Sequence, residues 1–321
     1  MSRFRNMQII SGNADPALAV EIAGELGVKL ARSHVGRFPD GEINVKVESD
    51  VRGSDVYIVQ STCPPVNENL MELLILIDTM KRASADRITA VVPYFGYARK
   101  DRKDEGRVPI TAKLVANLIE KAGADRVITI DLHAAQIQGF FDIPVDHLYA
   151  SPVFVEAIQK LNFDRLVMLA PDVGSSKRAF AYARILHGDF AVIDKRRKGP
   201  DEIEVANVIG DIRGKQIVII DDMISTGGSI SEAARVVMEA GASEVVLAAS
   251  HAVFCGKAIE RLTAAPTSKI FVTNSIPSCG SDLGGKLRTL SVAPLLAEAI
   301  KRVHTNMSVS SLFELSGQAA T

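Results

Sequence analysis

The chain has 321 residues, more than one hydrophobic core usually organises, which points to about two domains. Its 47% hydrophobic and 23% charged residues exclude a disordered or collagenous protein. Its 37 Lys and Arg against 38 Asp and Glu exclude a general attraction to nucleic acid or anionic membrane, so any anion it binds must be held by a local cluster.

The N-terminal stretch MSRFRNMQIISGNADP lacks the apolar core of a secretory signal, and no apolar run reaches the roughly 18 residues that span a bilayer. Short Val- and Ile-rich runs recur at 7–11, 55–60, 88–92, 127–131, 166–170, 216–221 and 245–249. Most are apolar on both alternations, as strands covered on two faces are. Helical patterns lie between them, with start signals at Asp15 before Pro16, Thr111, Ser151 before Pro152, and Ser229 or Ser231. Strands alternating with helices of this length predict right-handed crossovers and mainly parallel sheets flanked by helices, an α/β fold.

An internal repeat sharpens this expectation: LVANLIEKAGADRVITIDLHA, ending at Ala134, resembles ARVVMEAGASEVVLAASHA, ending at Ala252. His133 aligns with His251 and Gly123 with Gly241, both at an offset of 118 and without a gap (251 − 133 = 241 − 123 = 118). One α/β unit occurs twice, which predicts two similar domains, 1–150 and 151–306, followed by a tail, 307–321, packing back on the first. The copies diverge where chemistry would sit. Only the first keeps a carboxylate, Asp131, beside its histidine, so a metal site belongs to that copy. The three cysteines, Cys63, Cys255 and Cys279, form no metal-ligand spacing and fit a reducing, cytoplasmic setting.

The strongest single signal is IVIIDDMISTGGS, residues 217–229. A four-residue apolar strand ends in Asp221 and Asp222, and Ser225, Thr226, Gly227, Gly228 and Ser229 then turn into a helix. Backbone N–H groups and hydroxyls at a helix N-terminus suit a phosphate, and the two acids suit the hydroxyls of an adjacent sugar. Phosphate plus vicinal hydroxyls describes a pentose phosphate. A bare TGGS is better read as a capped strand-to-helix turn, but two acids before it at the end of a four-residue apolar strand favour the phosphate-binding reading.

This string resembles the phosphoribosyl-binding signature of the phosphoribosyltransferase fold. DLHAAQIQGFFDIPVD, from Asp131, resembles the signature of one family within it, the ribose-phosphate pyrophosphokinases, or phosphoribosyl diphosphate (PRPP) synthetases. Similar strings recur at Arg37 (RFPDGEINVKV), Val91 (VVPYFGYARKDRK), Arg107 (RVPITAKLVA), Ala170 (APDVGSSKRA), Asp194 (DKRR) and Ser308 (SVSSLF). The resemblance implies two tandem phosphoribosyltransferase-type domains and a diphosphoryl transfer from ATP to the C1 hydroxyl of ribose 5-phosphate, giving PRPP and AMP.

The resemblance also implies the site residues. His133 and Asp172, with Asp131 beside them, become magnesium ligands. Phe38, Asp40, Gly41 and Glu42 become an adenine-binding segment, and Arg99, Lys100 and Asp101 further ATP contacts in a loop that composition alone reads as solvated. Lys195 and Arg197 become catalytic cations, with Arg197 also on ribose 5-phosphate alongside residues 221–229. Arg52, Arg82, Ser84, Ser308, Ser310, Ser311 and Phe313 match an allosteric site for phosphate and ADP in a homo-oligomer, a hexamer by resemblance. Three positions depart from the common pattern: Lys100 stands where Gln is frequent, Ser175 where Gly is, and Ser225 where Asp is. Two rivals are a base-specific phosphoribosyltransferase, which needs no ATP motifs, and a non-catalytic regulatory subunit, which would not need His133, Asp172, Lys195 and Arg197.

Overall fold

The computed structural model describes residues 6–197, 203–278 and 280–312. They fall into two compact units, one of residues 6–149, 275–277 and 292–312, the other of 150–274 and most of 278–291.

The first unit begins with β1 (Met7–Ser11) and α1 (Pro16–Leu26), whose N-terminus is capped by Asp15, with Leu18 N–H donating to its Oδ1 at 3.0 Å. A hairpin of β2 (Ser33–Arg37) and β3 (Ile43–Val47) follows, then β4 (Asp55–Val59), α2 (Val66–Arg82), β5 (Arg87–Val92), α3 (Thr111–Ala122), β6 (Arg126–Ile130) and β7 (Val145–Leu148). The sheet order is β1-β4-β5-β6-β7 and every pairing is parallel, with Met7 opposite Asp55, Tyr57 opposite Thr89 and Ile130 opposite Leu148.

The second unit has α4 (Ser151–Gln159), β8 (Leu166–Ala170), α5 (Ser176–Leu186), β9 (Asp189–Arg197), β10 (Ile203–Ile209), β11 (Gln216–Ile224), α6 (Gly228–Glu239), β12 (Glu244–Ala252), α7 (Ala258–Ala264), β13 (Lys269–Thr273) and β14 (Leu287–Leu290). Its order is β10-β9-β8-β11-β12-β13-β14, and only the edge pair β10-β9 is antiparallel. The last helix, α8 (Ala293–His304), packs on α1 in the first unit. The fold is α/β, with mainly parallel sheets flanked by helices.

The repeat is physical. β6 starts at Arg126 and β12 at Glu244, again 118 apart (244 − 126), and the preceding helices are both followed by a glycine with positive φ, Gly123 at 122° as the C-cap of α3 and Gly241 at 96° just past Ala240, the C-cap of α6. A side chain there would be strained, which is why both copies keep glycine.

Several elements differ from the sequence reading. Thr111 and Ser151 are not caps but first helical residues, after Ile110 and Ala150, and α6 starts at Gly228 behind Gly227, with no side-chain cap. The backbone N–H groups at those ends, rather than hydroxyls, define the helix starts. The β2–β3 hairpin, β7 and β14, short or only half-buried, were not read as strands, and neither were β10 and β13.

One ion cluster ties α8 to the first sheet. Arg87 donates to both Asp55 carboxylate oxygens, at 2.8 and 2.5 Å, and to the Val303 carbonyl at 3.2 Å, while His304 Nδ1 lies 2.7 Å from Asp55 and Tyr57 donates to Asp55 at 2.9 Å. Burial alone would raise the Asp55 carboxyl, but hydrogen bonds from Arg87, His304 and Tyr57 hold it below its ordinary 3.8. Its contribution is therefore present above about pH 4 and lost as pH falls through the depressed value. Arg87→Met leaves this carboxylate without its main partner and is expected to cost about 3 kcal/mol in urea unfolding at pH 7. The deficit should shrink below pH 4, and an unchanged midpoint at pH 7 would show that the cluster carries no stability.

Candidate active site

In the second unit the strongest motif is carried by β11, which runs past both acids to Ile224. Asp221 sits opposite Ala249 in the ladder with β12. Asp222 is 6% exposed, and Arg178 Nη1 on α5 lies 3.8 Å from its Oδ1. Burial pushes the Asp221 carboxyl up to about 7, and the adjacent Asp222 charge adds to the rise.

The loop behind these acids has the backbone that phosphate binding requires. Gly227 is left-handed, at φ 72°, with Leu262 and Ala258 3.4–3.5 Å from where a Cβ would stand, so no larger residue fits without strain. Thr226 and Ser229 are exposed, Ser225 is half-buried, and Gly228 opens α6. The Ser225 hydroxyl lies 3.2 Å from Cys255 Sγ, and Cys255 N–H donates to the Ser225 carbonyl at 3.0 Å. Arg261 on α7 donates to the Thr226 carbonyl at 3.0 Å. With the Thr226 and Ser229 side chains exposed and the N-terminus of α6 at Gly228, residues 225–229 have the make-up of a phosphate-binding loop.

The loop after β8 meets these acids. Asp172 Oδ1 accepts from the Ser175 N–H at 3.0 Å and lies 3.2 Å from the Ser175 hydroxyl, which is itself 2.9 Å from Asp221 Oδ1. The Ser175 side chain thus enters the turn without disrupting it, at φ −85°.

Asp131 and His133 do not alternate along a strand end as their spacing suggested. β6 stops at Ile130, Asp131 is buried in a left-handed conformation at φ 40°, its N–H donating to the Leu148 carbonyl, and His133 is exposed. The intervening Leu132 N–H donates to His147 Nε2 at 2.9 Å, which turns the chain. Asp131 and His133 belong to the first unit and Asp172 to the second, and among the described residues no three His, Cys, Asp or Glu side chains are gathered to hold a metal ion.

Phe38, Asp40, Gly41 and Glu42 form the tip of the β2–β3 hairpin. The Phe38 N–H donates to the Glu42 carbonyl at 2.8 Å, Asp40 Oδ1 accepts from the Glu42 N–H at 3.1 Å, and the Phe38 ring is 48% exposed, open to stacking. The loop at Arg99, Lys100 and Asp101 is tethered, with Gln136 donating to Asp101 at 2.7 Å, while Lys100 pairs with Asp104 at 3.1 Å.

Lys195 and Arg197 lie on β9 rather than after it, because β9 continues in antiparallel pairing with β10, Arg197 opposite Ile203. Their side chains lie outside the described residues, as does Phe313.

Of the regulatory candidates, Arg52 is exposed and Arg82 pairs with Asp78 at 2.7 Å. Ser84 is left-handed, with its carbonyl accepting from Gly53. Ser308 and Ser310 face each other at 3.1 Å between hydroxyls, with Arg302 donating to the Ser308 carbonyl, and Ser311 lies in a 3₁₀ turn, Ser310–Leu312. The sequence reading missed Gln136, His147, Arg178 and Arg261, polar residues whose contacts span long sequence separations.

Residues 7–123 match the N-terminal domain of ribose phosphate pyrophosphokinase, and residues 200–314 match the phosphoribosyl synthetase-associated domain. A ribose-phosphate pyrophosphokinase of Rhodopirellula baltica is 58% identical over 313 residues, covering 97% of this chain and 99% of that one. Ribose-phosphate pyrophosphokinase 1 of Spinacia oleracea is 52% identical over 311 residues, covering 96% of this chain and 93% of the other. The crystal structure of a phosphoribosylpyrophosphate synthetase from Mycobacterium smegmatis has a TM-score of 0.89 at 41% identity, covering 94% of this chain and all of that one.

Proposed function

The chain belongs to the ribose-phosphate pyrophosphokinase family and is an enzyme of that type, and on this footing we propose the following reaction and residue roles. The C1 hydroxyl of ribose 5-phosphate attacks the β-phosphorus of ATP. The new C1–O–Pβ bond forms as the Pα–O–Pβ bridge breaks, AMP leaves with the bridging oxygen, and the hydroxyl proton passes to solvent. The observation that carries this reading is the pair of adjacent acids, half-buried Asp221 and buried Asp222, on the strand that leads into the loop 225–229, in a chain that also bears the 37–42 and 99–101 motifs.

In this reading residues 225–229 bind the 5-phosphate, and the two acids address the ribose hydroxyls. Phe38 stacks on adenine while Asp40, Gly41 and Glu42 read its edge, and Arg99, Lys100 and Asp101 meet the triphosphate side. Lys195 and Arg197 neutralise charge that develops on the transferred group, and Arg197 also contacts the sugar phosphate. His133, Asp172 and Asp131 would hold magnesium, whose chemistry there is charge neutralisation on phosphate oxygens. No side chain is needed as an obligatory general base.

The same reading makes the first half the nucleotide half and the second the sugar-phosphate half. It takes the enzyme to be cytoplasmic and a homohexamer, activated by phosphate and inhibited by ADP through Arg52, Arg82, Ser84, Ser308, Ser310, Ser311 and Phe313. Among the described residues no helix is long and apolar enough to cross a membrane. A base-specific phosphoribosyltransferase would share the 225–229 loop but has no use for the ATP motifs.

Incubation with ribose 5-phosphate and Mg-ATP is expected to yield AMP and PRPP in equal amounts, with kcat about a hundredfold lower or more in Lys195→Ala and Arg197→Ala. ADP as product, or no nucleotide turnover, would overturn the reading, and near wild-type turnover in both variants would remove the basic run from catalysis. Truncation after Met307 is expected to weaken phosphate activation and ADP inhibition while basal activity persists. Unchanged responses to both effectors would show that the tail has no part in regulation.

A further inference from the structure

Two consecutive carbonyls of the loop behind β11 are taken by donors from one segment, 255–261. Cys255 N–H donates to the Ser225 carbonyl at 3.0 Å, and Nη1 of the exposed Arg261, on α7, donates to the Thr226 carbonyl at 3.0 Å. In a trans peptide the carbonyl and the N–H point in opposite directions. The Thr226 and Gly227 N–H groups are therefore turned away from these donors. They come directly before Gly228, Ser229 and Ile230, whose N–H groups precede the first helical bond of α6, from Ser231 to the Gly227 carbonyl at 3.1 Å. A run of successive backbone N–H groups beside a left-handed residue makes an anion-binding concavity.

The Thr226–Gly227 peptide is the weak link in this run. Gly227 is left-handed at φ 72°, and turning the peptide over would carry its φ to negative values, which glycine adopts about as readily. The turned peptide would put the Thr226 carbonyl where the Gly227 N–H now stands, exchanging a donor for an acceptor that repels an anion. The Ser225 carbonyl is held by a main-chain donor. The Thr226 carbonyl is held by a side chain, and Arg261 Nη1 also lies 3.3 Å from where a Cβ on Gly228 would stand, close against the start of α6.

We propose that Arg261 is a positioning residue for ribose 5-phosphate: by holding the Thr226 carbonyl it keeps the Thr226–Gly227 peptide oriented so that the Gly227 N–H donates to the 5-phosphate. This rests on the proposed role of residues 225–229 as the 5-phosphate loop. It adds that an arginine outside the loop decides how many donors the loop presents.

The test is steady-state kinetics of the full-length enzyme in Mg-ATP with varied ribose 5-phosphate, following AMP. Arg261→Met is expected to raise KM for ribose 5-phosphate about tenfold, the scale of one hydrogen bond to a charged group, while kcat and KM for ATP stay near wild type. Arg261→Lys, which keeps a donor on a long stem, is expected to recover most of the loss. The thermal midpoint should hardly move in either variant, because the bond is exposed. The KM ratio between Met variant and wild type should persist in about 1 M salt, where the Debye length is only about 3 Å. A Met variant with wild-type KM for ribose 5-phosphate, or a Lys variant no better than Met, would overturn the inference. So would a loss that disappears in high salt, which would make Arg261 a distant charge. A parallel rise in KM for ATP with a lower thermal midpoint would make it scaffold and overturn the inference too. If wild type makes no AMP from ribose 5-phosphate and ATP, the functional reading fails first and the inference with it.

Discussion

Two adjacent carboxylates near the end of a buried parallel strand are the constraint around which the second unit is arranged. β11 lies between β8 and β12 in the sheet interior, where desolvation and the neighbouring Asp222 charge both disfavour ionised Asp221. The chain offsets this with the Asp222 N–H and the Ser175 hydroxyl on Asp221, and with Arg178 beside Asp222. Such an arrangement has little structural reason to exist beside the Ile and Val run of 217–220. In the function proposed above, a ligand bearing vicinal hydroxyls completes it and the loop at 225–229 takes that ligand's phosphate.

The duplicated α/β unit ends differently in its two copies. In the second copy Ala249 and Ser250 let β12 continue through His251, which is 2% exposed and pairs opposite Met223. In the first, Asp131 adopts a left-handed turn directly after β6, Leu132 is caught by His147, and His133 is released to the surface. The same aligned histidine is a buried ladder residue in one copy and an accessible imidazole in the other.

The sheets were legible in the sequence because parallel strands buried on both faces read as continuous apolar runs, and the repeat was legible because its glycines hold backbone conformations that other residues cannot. The hairpin at 33–47 was not, since its half-buried strands alternate weakly and its tip reads as an isolated turn. The chemical motifs were found as strings, but the contacts that organise them were not. Ser175 to Asp221, Gln136 to Asp101 and Arg261 to Thr226 join residues 46, 35 and 35 positions apart, and no local spacing encodes them. The strand assignment of Asp131 failed for a related reason, because His147 redirects the chain from 15 residues away.

The claim on which this account turns is that Asp221 and Asp222 recognise the sugar. The direct measurement is calorimetry on folded Asp221→Ala and Asp222→Ala, titrating ribose 5-phosphate and ATP separately. The account expects ribose 5-phosphate affinity to fall well below that of wild type while ATP affinity is retained. Equal loss of both ligands would contradict it and leave the two acids as supports of the loop alone.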